Sequence, residues 1–181
     1  MTVSPAGTLE GTATLPQSAR LLMTTDGTLG PLVEAMVGEP ITVAHCHQVP
    51  EPAERSVARE LDVDPDDALL SRCVDLVGRH TKTLYIKAHS FWVPHRLPSP
   101  VRRRLTDTMD PIGAVLRDFR TETFRELLSW RWCDLPEDFP CRNLCQRTYR
   151  IVMSGSPAFL ITERFTHACV GVTPPFWGHP K

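Results

Sequence analysis

Two strand-length apolar runs, Ala68 to Val77 and Thr83 to Val93, are joined by a short polar turn at Gly78-Arg79-His80-Thr81. A connection this short joins neighbouring strands only if they run antiparallel, since a parallel return needs a dozen or more residues. A second pair, Gln146 to Met153 and Ala158 to Thr166, flanks Ser154-Gly155-Ser156-Pro157 in the same way. Ile41 to Val49 alternates Ile41, Val43 and His45 on one side and reads as a fifth strand, which Pro50 and Pro52 should break. A fold for this chain therefore has to be organised around an antiparallel sheet.

The stretches between the strands read as helices. Leu29, Leu32, Val33, Met36 and Val37 recur at helical spacing, with Asp26 or Thr28 to open the helix and Gly38 to close it. Glu54 to Leu61 is a short charged helix, and Val101 to Met109 carries Arg102-Arg103-Arg104 on a solvated face. Asp110-Pro111 is a helix start for Ile112 to Leu116, with Asp110 as N-cap and proline where its missing N–H costs nothing. Thr121 to about Trp130 is expected to form one more helix, burying Phe124, Leu127 and Leu128. The expected class is α+β, a single antiparallel sheet of about six strands with flanking helices over an internal cavity. Residues 1–19 are expected to be a flexible arm, 20–170 the domain, and 171–181 an irregular tail.

Composition narrows the partners. The 181 residues are 41% hydrophobic and 23% charged, which suits one globular domain. A net charge of −1 argues against nucleic acid or an anionic membrane as the main partner. No apolar run approaches the ~20 residues of a membrane span, and no basic-then-apolar leader is visible at the start. The six cysteines contain no Cys-x-x-Cys pair, so reduced thiols in a cytoplasmic protein are expected. Cys141 and Cys145 with His45 and His47 are a conceivable zinc set, but no metal-site spacing fixes them together, and buried thiols are the simpler reading. Phosphate-loop, dinucleotide, serine-elbow and zinc-protease signatures are all missing from the sequence.

Two charges stand out against this background. On the Ala68 to Val77 strand Leu70, Arg72, Val74 and Leu76 share a face, and on the last strand Phe159, Ile161, Glu163 and Phe165 do. Arg72 and Glu163 thus point where a core belongs, and each needs a partner because an unpaired buried charge costs several kcal/mol. Either they pair with each other, or both line a cavity and meet a polar ligand. The helix starts at Thr28-Leu29 and Asp110-Pro111-Ile112 offer unpaired amides to an anionic ligand.

Leu22-Met-Thr-Thr-Asp-Gly-Thr-Leu29, the Leu70-Ser-Arg72 strand, the Asp-Pro-Ile-Gly helix start and the Arg150-to-Phe165 hairpin ending Leu-Ile-Thr-Glu163-Arg-Phe occur together in this order. The ordered set, over roughly residues 20 to 167, resembles the chorismate lyases. The resemblance implies a sheet with two segments folded over an enclosed ligand, and cofactor-free, metal-free conversion of chorismate to 4-hydroxybenzoate and pyruvate. It implies that Arg72 binds the ring carboxylate with the amides of Leu29 and Ile112, and that Glu163 meets the ring hydroxyl and could exchange a proton there if burial raises its pKa. The catalytic pair would be Glu163 and Arg72. The quinone-pathway lyases carry a further arginine where this chain reads Ala88-His89-Ser90, leaving Arg147, Arg150, Lys87 or His89 to meet the second carboxylate. The implied partner is a small-molecule substrate alone, in a monomer or weak homo-oligomer. The rival expectation is a non-catalytic carboxylate-binding domain akin to the effector domains of bacterial transcription regulators. Those carry a winged DNA-binding domain in the same chain, for which the residues before the first motif leave little room.

Overall fold

The computed structural model of the chain describes residues 2–5, 15–132 and 143–171. In chain order its elements are β1 (Thr2–Pro5), α1 (Gln17–Thr24), α2 (Leu29–Val37), β2 (Ile41–Pro52), α3 (Arg55–Leu61), β3 (Ala68–Gly78) and β4 (Leu84–Trp92). After a 3-10 turn at Pro94–Arg96 come α4 (Ser99–Asp107), α5 (Ile112–Asp118), β5 (Phe124–Trp132), β6 (Asn143–Met153), β7 (Ser156–Thr166) and α6 (His167–Val170). The strands form one seven-stranded antiparallel sheet in the order β1-β5-β6-β7-β4-β3-β2, six long strands and the short β1. The α+β expectation holds. The stretch 1–19 contains β1, paired with β5, and the start of α1; residues 172–181 of the expected tail lie outside the described residues.

Both hairpins and α2 form where the sequence places them, and Gly38 closes α2 in the left-handed region at φ 76°. Pro50 and Pro52 do not end β2, which runs to Pro52. It is an edge strand, where a missing N–H on the open side breaks no ladder. Asp110 does not cap α5: Pro111 takes the N-cap position, and the Asp110 carboxylate accepts from Arg104 Nε instead.

The largest correction concerns Thr121 to Trp130, where β5 stands in place of the expected helix. Its pairing with β6 shifts between Leu127 and Ser129, opposing Leu127 to Tyr149 and Trp130 to Arg147. This bulge puts Leu127 and Trp130 on one face although they are three residues apart. The resulting i, i+3 spacing of apolar residues imitates a helix. Leu128 packs on the opposite face against the α3 cluster, and Phe124, expected to be buried, is 64% exposed.

One sheet face carries α1, α2 and α6 at one end and α4 and α5 at the other. The other face takes α3, whose Val57, Ala58 and Leu61 cover Leu69 and Leu160. The strand register lays four transverse rows across the first face. Leu76, Ile86, Phe165 and Cys145 form an apolar outer row under α1 and α2. Leu70, Trp92, Phe159 and Ile151 form the opposite outer row under α4 and α5. Between them run Arg72-Ser90-Ile161-Tyr149-Leu127 and Val74-Ala88-Glu163-Arg147-Trp130. The two helix groups grip the outer rows, and the middle rows are where the sheet face can stay uncovered.

The β3–β4 turn is held by a single carboxylate. Glu39 accepts from the backbone N–H groups of His80 and Thr81 and from the hydroxyls of Thr81 and Tyr85. With the Thr81 hydroxyl the strongest influence, these donors outweigh desolvation and lower the Glu39 pKa to about 2. A folded-state pKa below the unfolded one adds stability that is present above pH ~4.5 and lost as pH falls towards 2. A methyl group on Gly78 would land on that carboxylate. Gly78→Ala should therefore lower the melting temperature at pH 7 and shrink the loss on acidification between pH ~5 and 2. An unchanged acid titration of stability would show that Glu39 is not the clamp.

Candidate functional site

The middle rows floor a cavity of about 270 Å³. The helix starts Gly27 to Pro31 and Pro111 to Ala114 line its other side. These two starts are close together, since a Cβ on Gly113 would stand 3.1 Å from Thr28 Cγ2. The floor is mostly apolar, with Val74, Leu76, Ala88, Ile151 and Ile161, and Arg72 and Glu163 both open onto it. The volume is near the lower end of small-molecule pockets, ~300 Å³ upward. Among the described residues, no helix is long and apolar enough to cross a membrane.

Arg72 and Glu163 do not pair with each other; each has its own set of partners. Arg72 is 2% exposed. Its Nη1 donates to Gln48 Oε1 at 3.0 Å and to the Leu105 carbonyl at 2.6 Å. Its Nη2 donates to the carbonyls of Thr108 and Asp110, at 3.3 and 2.9 Å. The guanidinium thereby gathers the link between α4 and α5 and fixes the approach to Ile112. Burial lowers the Arg72 pKa, partly offset by Cys46 and Asp110 nearby. Among the described residues its hydrogen bonds all come from the two Nη atoms, and the residue lines the cavity.

Glu163 is held from beneath. Arg147 Nε donates to its Oε2 at 2.7 Å and the Tyr149 hydroxyl to its Oε1 at 3.1 Å. Arg147 Nη1 also donates to the carbonyls of Leu22 and Thr25, at 2.9 and 2.7 Å, tying the sheet to the α1–α2 link. Burial opposes the Arg147 charge, but Glu163, Tyr149 and their hydrogen bonds outweigh it and raise its pKa. Burial, and then the Glu163 charge, push the Tyr149 hydroxyl well above its ordinary range. Tyr149 is thus a firm hydrogen donor, and Glu163 the ion-paired carboxylate that accepts from it and from Arg147. A carboxylate offers about four lone-pair positions, so Glu163 can still accept from a ligand.

Of the side chains expected to meet a second carboxylate, Arg147 is engaged as described. Arg150, Lys87 and His89 alternate with the cavity rows and face the other way. There Arg150 pairs with Glu126 and Lys87 with Asp75, while His89 bonds the Ser71 hydroxyl and burial lowers its pKa. Leu29 and Ile112 stand at the first positions of α2 and α5, line the cavity, and have amides without intrahelical acceptors. Arg117 and Arg125 also line it, although neither stands out in the sequence. His45 and His47 are exposed on edge strand β2, whereas Cys145 is buried on β6, four strand positions away; Cys141 lies outside the described residues.

The Arg147 partnership was accessible from sequence. Cys145, Arg147, Tyr149 and Ile151 alternate on one strand face as plainly as the residues around Glu163. Arg125 was hidden by the bulge, because a helical reading turns it away from Leu127.

Comparison with known proteins bears on what this arrangement is for. A relative from Mycobacterium tuberculosis (strain H37Rv) named chorismate pyruvate-lyase is 28% identical over 163 residues, 83% of this chain and 80% of its own. A second of that name from Mycobacterium leprae is 29% identical over 176 residues, 88% of this chain and 79% of its own. In fold the chain is similar to PhnF from Mycobacterium smegmatis, with a TM-score of 0.51 and 14% identity over 79% of this chain and 65% of that one. The family described as chorismate pyruvate-lyase Rv2949c-like matches residues 23–171, from the end of α1 through α6 and so every element that builds the cavity. With the strand arginine, the strand glutamate and both helix starts inside that match, the chain belongs to the chorismate pyruvate-lyase Rv2949c-like family.

Proposed function

We propose that the protein is a chorismate lyase, converting chorismate to 4-hydroxybenzoate and pyruvate in the cytoplasm without a cofactor. The observation that carries this reading is the placement of Arg72 and Glu163 on adjacent middle rows of one sheet face, beneath the starts of α2 and α5. The reaction breaks the bond between the ring carbon and the ether oxygen, whose electron pair leaves with the enolpyruvyl group. The hydroxyl-bearing ring carbon gives up its hydrogen, the ring becomes aromatic, and protonated enolpyruvate is pyruvate. No oxidant and no water is consumed. Aromatisation supplies the driving force, so the protein has to orient the substrate, exclude water and stabilise moving charge.

In this reading Arg72 and the Leu29 and Ile112 amides hold the ring carboxylate. Glu163, fixed by Arg147 and Tyr149, accepts from the ring hydroxyl that becomes the phenol. Arg72 is then chiefly a positioning residue, since four of its hydrogen bonds go to the protein.

The purified protein should release 4-hydroxybenzoate and pyruvate from chorismate in equal amounts. Turnover and melting temperature should be unchanged by exhaustive chelation, and a large loss of either would overturn the metal-free mechanism. Binding of 4-hydroxybenzoate with no consumption of chorismate would instead make the cavity that of a ligand-binding domain.

A further inference from the structure

Chorismate carries two carboxylates, and on the proposed reading the one on the enolpyruvyl arm still needs a receptor. Arg147, Arg150, Lys87 and His89 are committed elsewhere. Arg125 and Arg117 are not. Both line the cavity, and among the described residues neither guanidinium has a hydrogen-bond or ion-pair partner. Arg125 extends the outer row Leu70-Trp92-Phe159-Ile151 onto β5, directly opposite Ile151. It also lines a smaller cavity of about 50 Å³ beneath the α1–α2 link, which shares Tyr149 with the main one. Arg117 reaches the cavity from the last turn of α5.

Arg72 on β3 and Arg125 on β5 have β4, β7 and β6 between them. Four strand spacings of ~4.8 Å put their backbones ~19 Å apart, so cationic groups stand at both ends of the cavity. Arg125 is half-buried with no countercharge among the described residues, whereas Arg117 is exposed, and a carboxylate completes such a guanidinium with charge-assisted, often bidentate, hydrogen bonds. We infer that Arg125, assisted by Arg117, receives the side-chain carboxylate of the substrate, so that the cavity selects a ring dicarboxylate over a ring monocarboxylate. This rests on the chorismate reading for the identity of the ligand. It implies that elimination removes one of the two anchors, leaving the aromatic product held at the Arg72 and Glu163 end alone.

The test uses two aromatic probes that cannot react. 4-Hydroxybenzoate carries one carboxylate, and 3-(carboxymethoxy)-4-hydroxybenzoate adds an ether arm ending in a second. Calorimetric titration of the parent, Arg125→Gln, Arg125→Lys and Arg117→Gln gives their affinities, with melting temperatures to confirm folding. Arg125→Gln should weaken the dicarboxylate roughly tenfold or more and 4-hydroxybenzoate by less than about twofold. Arg125→Lys should recover part of the loss, and Arg117→Gln should show a smaller loss in the same direction. If every variant binds the dicarboxylate as the parent does, or if the parent binds neither probe, the inference falls. A parent that converts chorismate while Arg125→Gln keeps parental affinities overturns the inference alone. A parent that does not convert chorismate, yet loses its dicarboxylate preference with Arg125→Gln, overturns the lyase reading and leaves the carboxylate receptor standing.

Discussion

Arg147→Met should cost ~3–5 kcal/mol of folding stability. The side chains of Arg147 and Glu163 are 2% and 8% exposed, so neither ion can fall back on water when the other is removed. Methionine fills similar volume but leaves the Glu163 carboxylate with only the Tyr149 hydroxyl, and leaves the Leu22 and Thr25 carbonyls without their donor. Glu163→Gln should be milder, at ~3 kcal/mol, because an amide oxygen can still accept from Arg147 Nε while the countercharge is lost. It should also lower kcat roughly ten- to a thousandfold if Glu163 takes the ring hydroxyl. The triple variant Arg147→Met, Glu163→Leu, Tyr149→Phe removes every buried polar side chain of the cluster. It should be more stable than Arg147→Met alone and have no activity, since a buried ion pair is expensive to break and often replaceable by apolar residues. Urea denaturation of the parent and these three variants settles the matter. If Arg147→Met unfolds with the parental midpoint, the pair is not coupled as described, and Glu163 is stabilised by something other than Arg147.

Such a pair adds little net stability over an apolar equivalent, so its use must lie in the site. It presents one carboxylate at a fixed depth in an apolar floor and ties that position to the α1–α2 link through two backbone carbonyls. The sheet and the roof of the cavity are thereby registered by one guanidinium on β6. Arg72 does the same on β3 for the α4–α5 link. Each of the two links thus hangs from a buried arginine, and each leads towards a helix start that lines the cavity.

The parts of this design that were legible in the sequence are those governed by short-range rules. The β3–β4 and β6–β7 hairpins follow from turn length and alternation, α2 from periodicity and Gly38, and the inward faces of Arg72 and Glu163 from period two. What those residues touch was not legible. Arg72 bonds carbonyls 33 to 38 residues away, and Arg147 reaches carbonyls more than 120 residues away. Backbone carbonyls have no side-chain identity to search for, so a face argument shows that a charge needs partners without naming them. The β5 error is of another kind. One inserted residue near Leu128 converts a period of two into an apparent helical spacing, and with it Arg125 passes from an outward helix position to the cavity wall. Edge position hid the continuation of β2 through Pro50 and Pro52, because neighbours in the sheet cannot be read from one strand.

Arg72→Lys separates charge from geometry at the other end of the cavity. If a positive charge near the ring carboxylate were all that mattered, lysine should restore most of the activity lost in Arg72→Ala. The structure points the other way. Arg72 uses both Nη atoms on four acceptors that lie in two directions, Gln48 on β2 and the carbonyls of Leu105, Thr108 and Asp110 around the α4–α5 link. An ammonium group has three N–H donors on one atom and cannot reach that set, and each buried carbonyl left without a donor costs ~1–3 kcal/mol. The link should relax, carrying the Ile112 amide away from the cavity. A misplacement of ~1 Å at a positioning group is enough for ~100-fold in rate. We expect kcat/KM to fall about 100-fold in Arg72→Ala and to remain within roughly fivefold of that value in Arg72→Lys. A reading independent of turnover is hydrogen exchange. Amides between Thr108 and Gly113 should exchange faster in both variants, while those of the β6–β7 hairpin keep parental protection. If lysine returns kcat/KM to near the parent with exchange at the link unchanged, Arg72 acts through its charge alone and the positioning role is wrong.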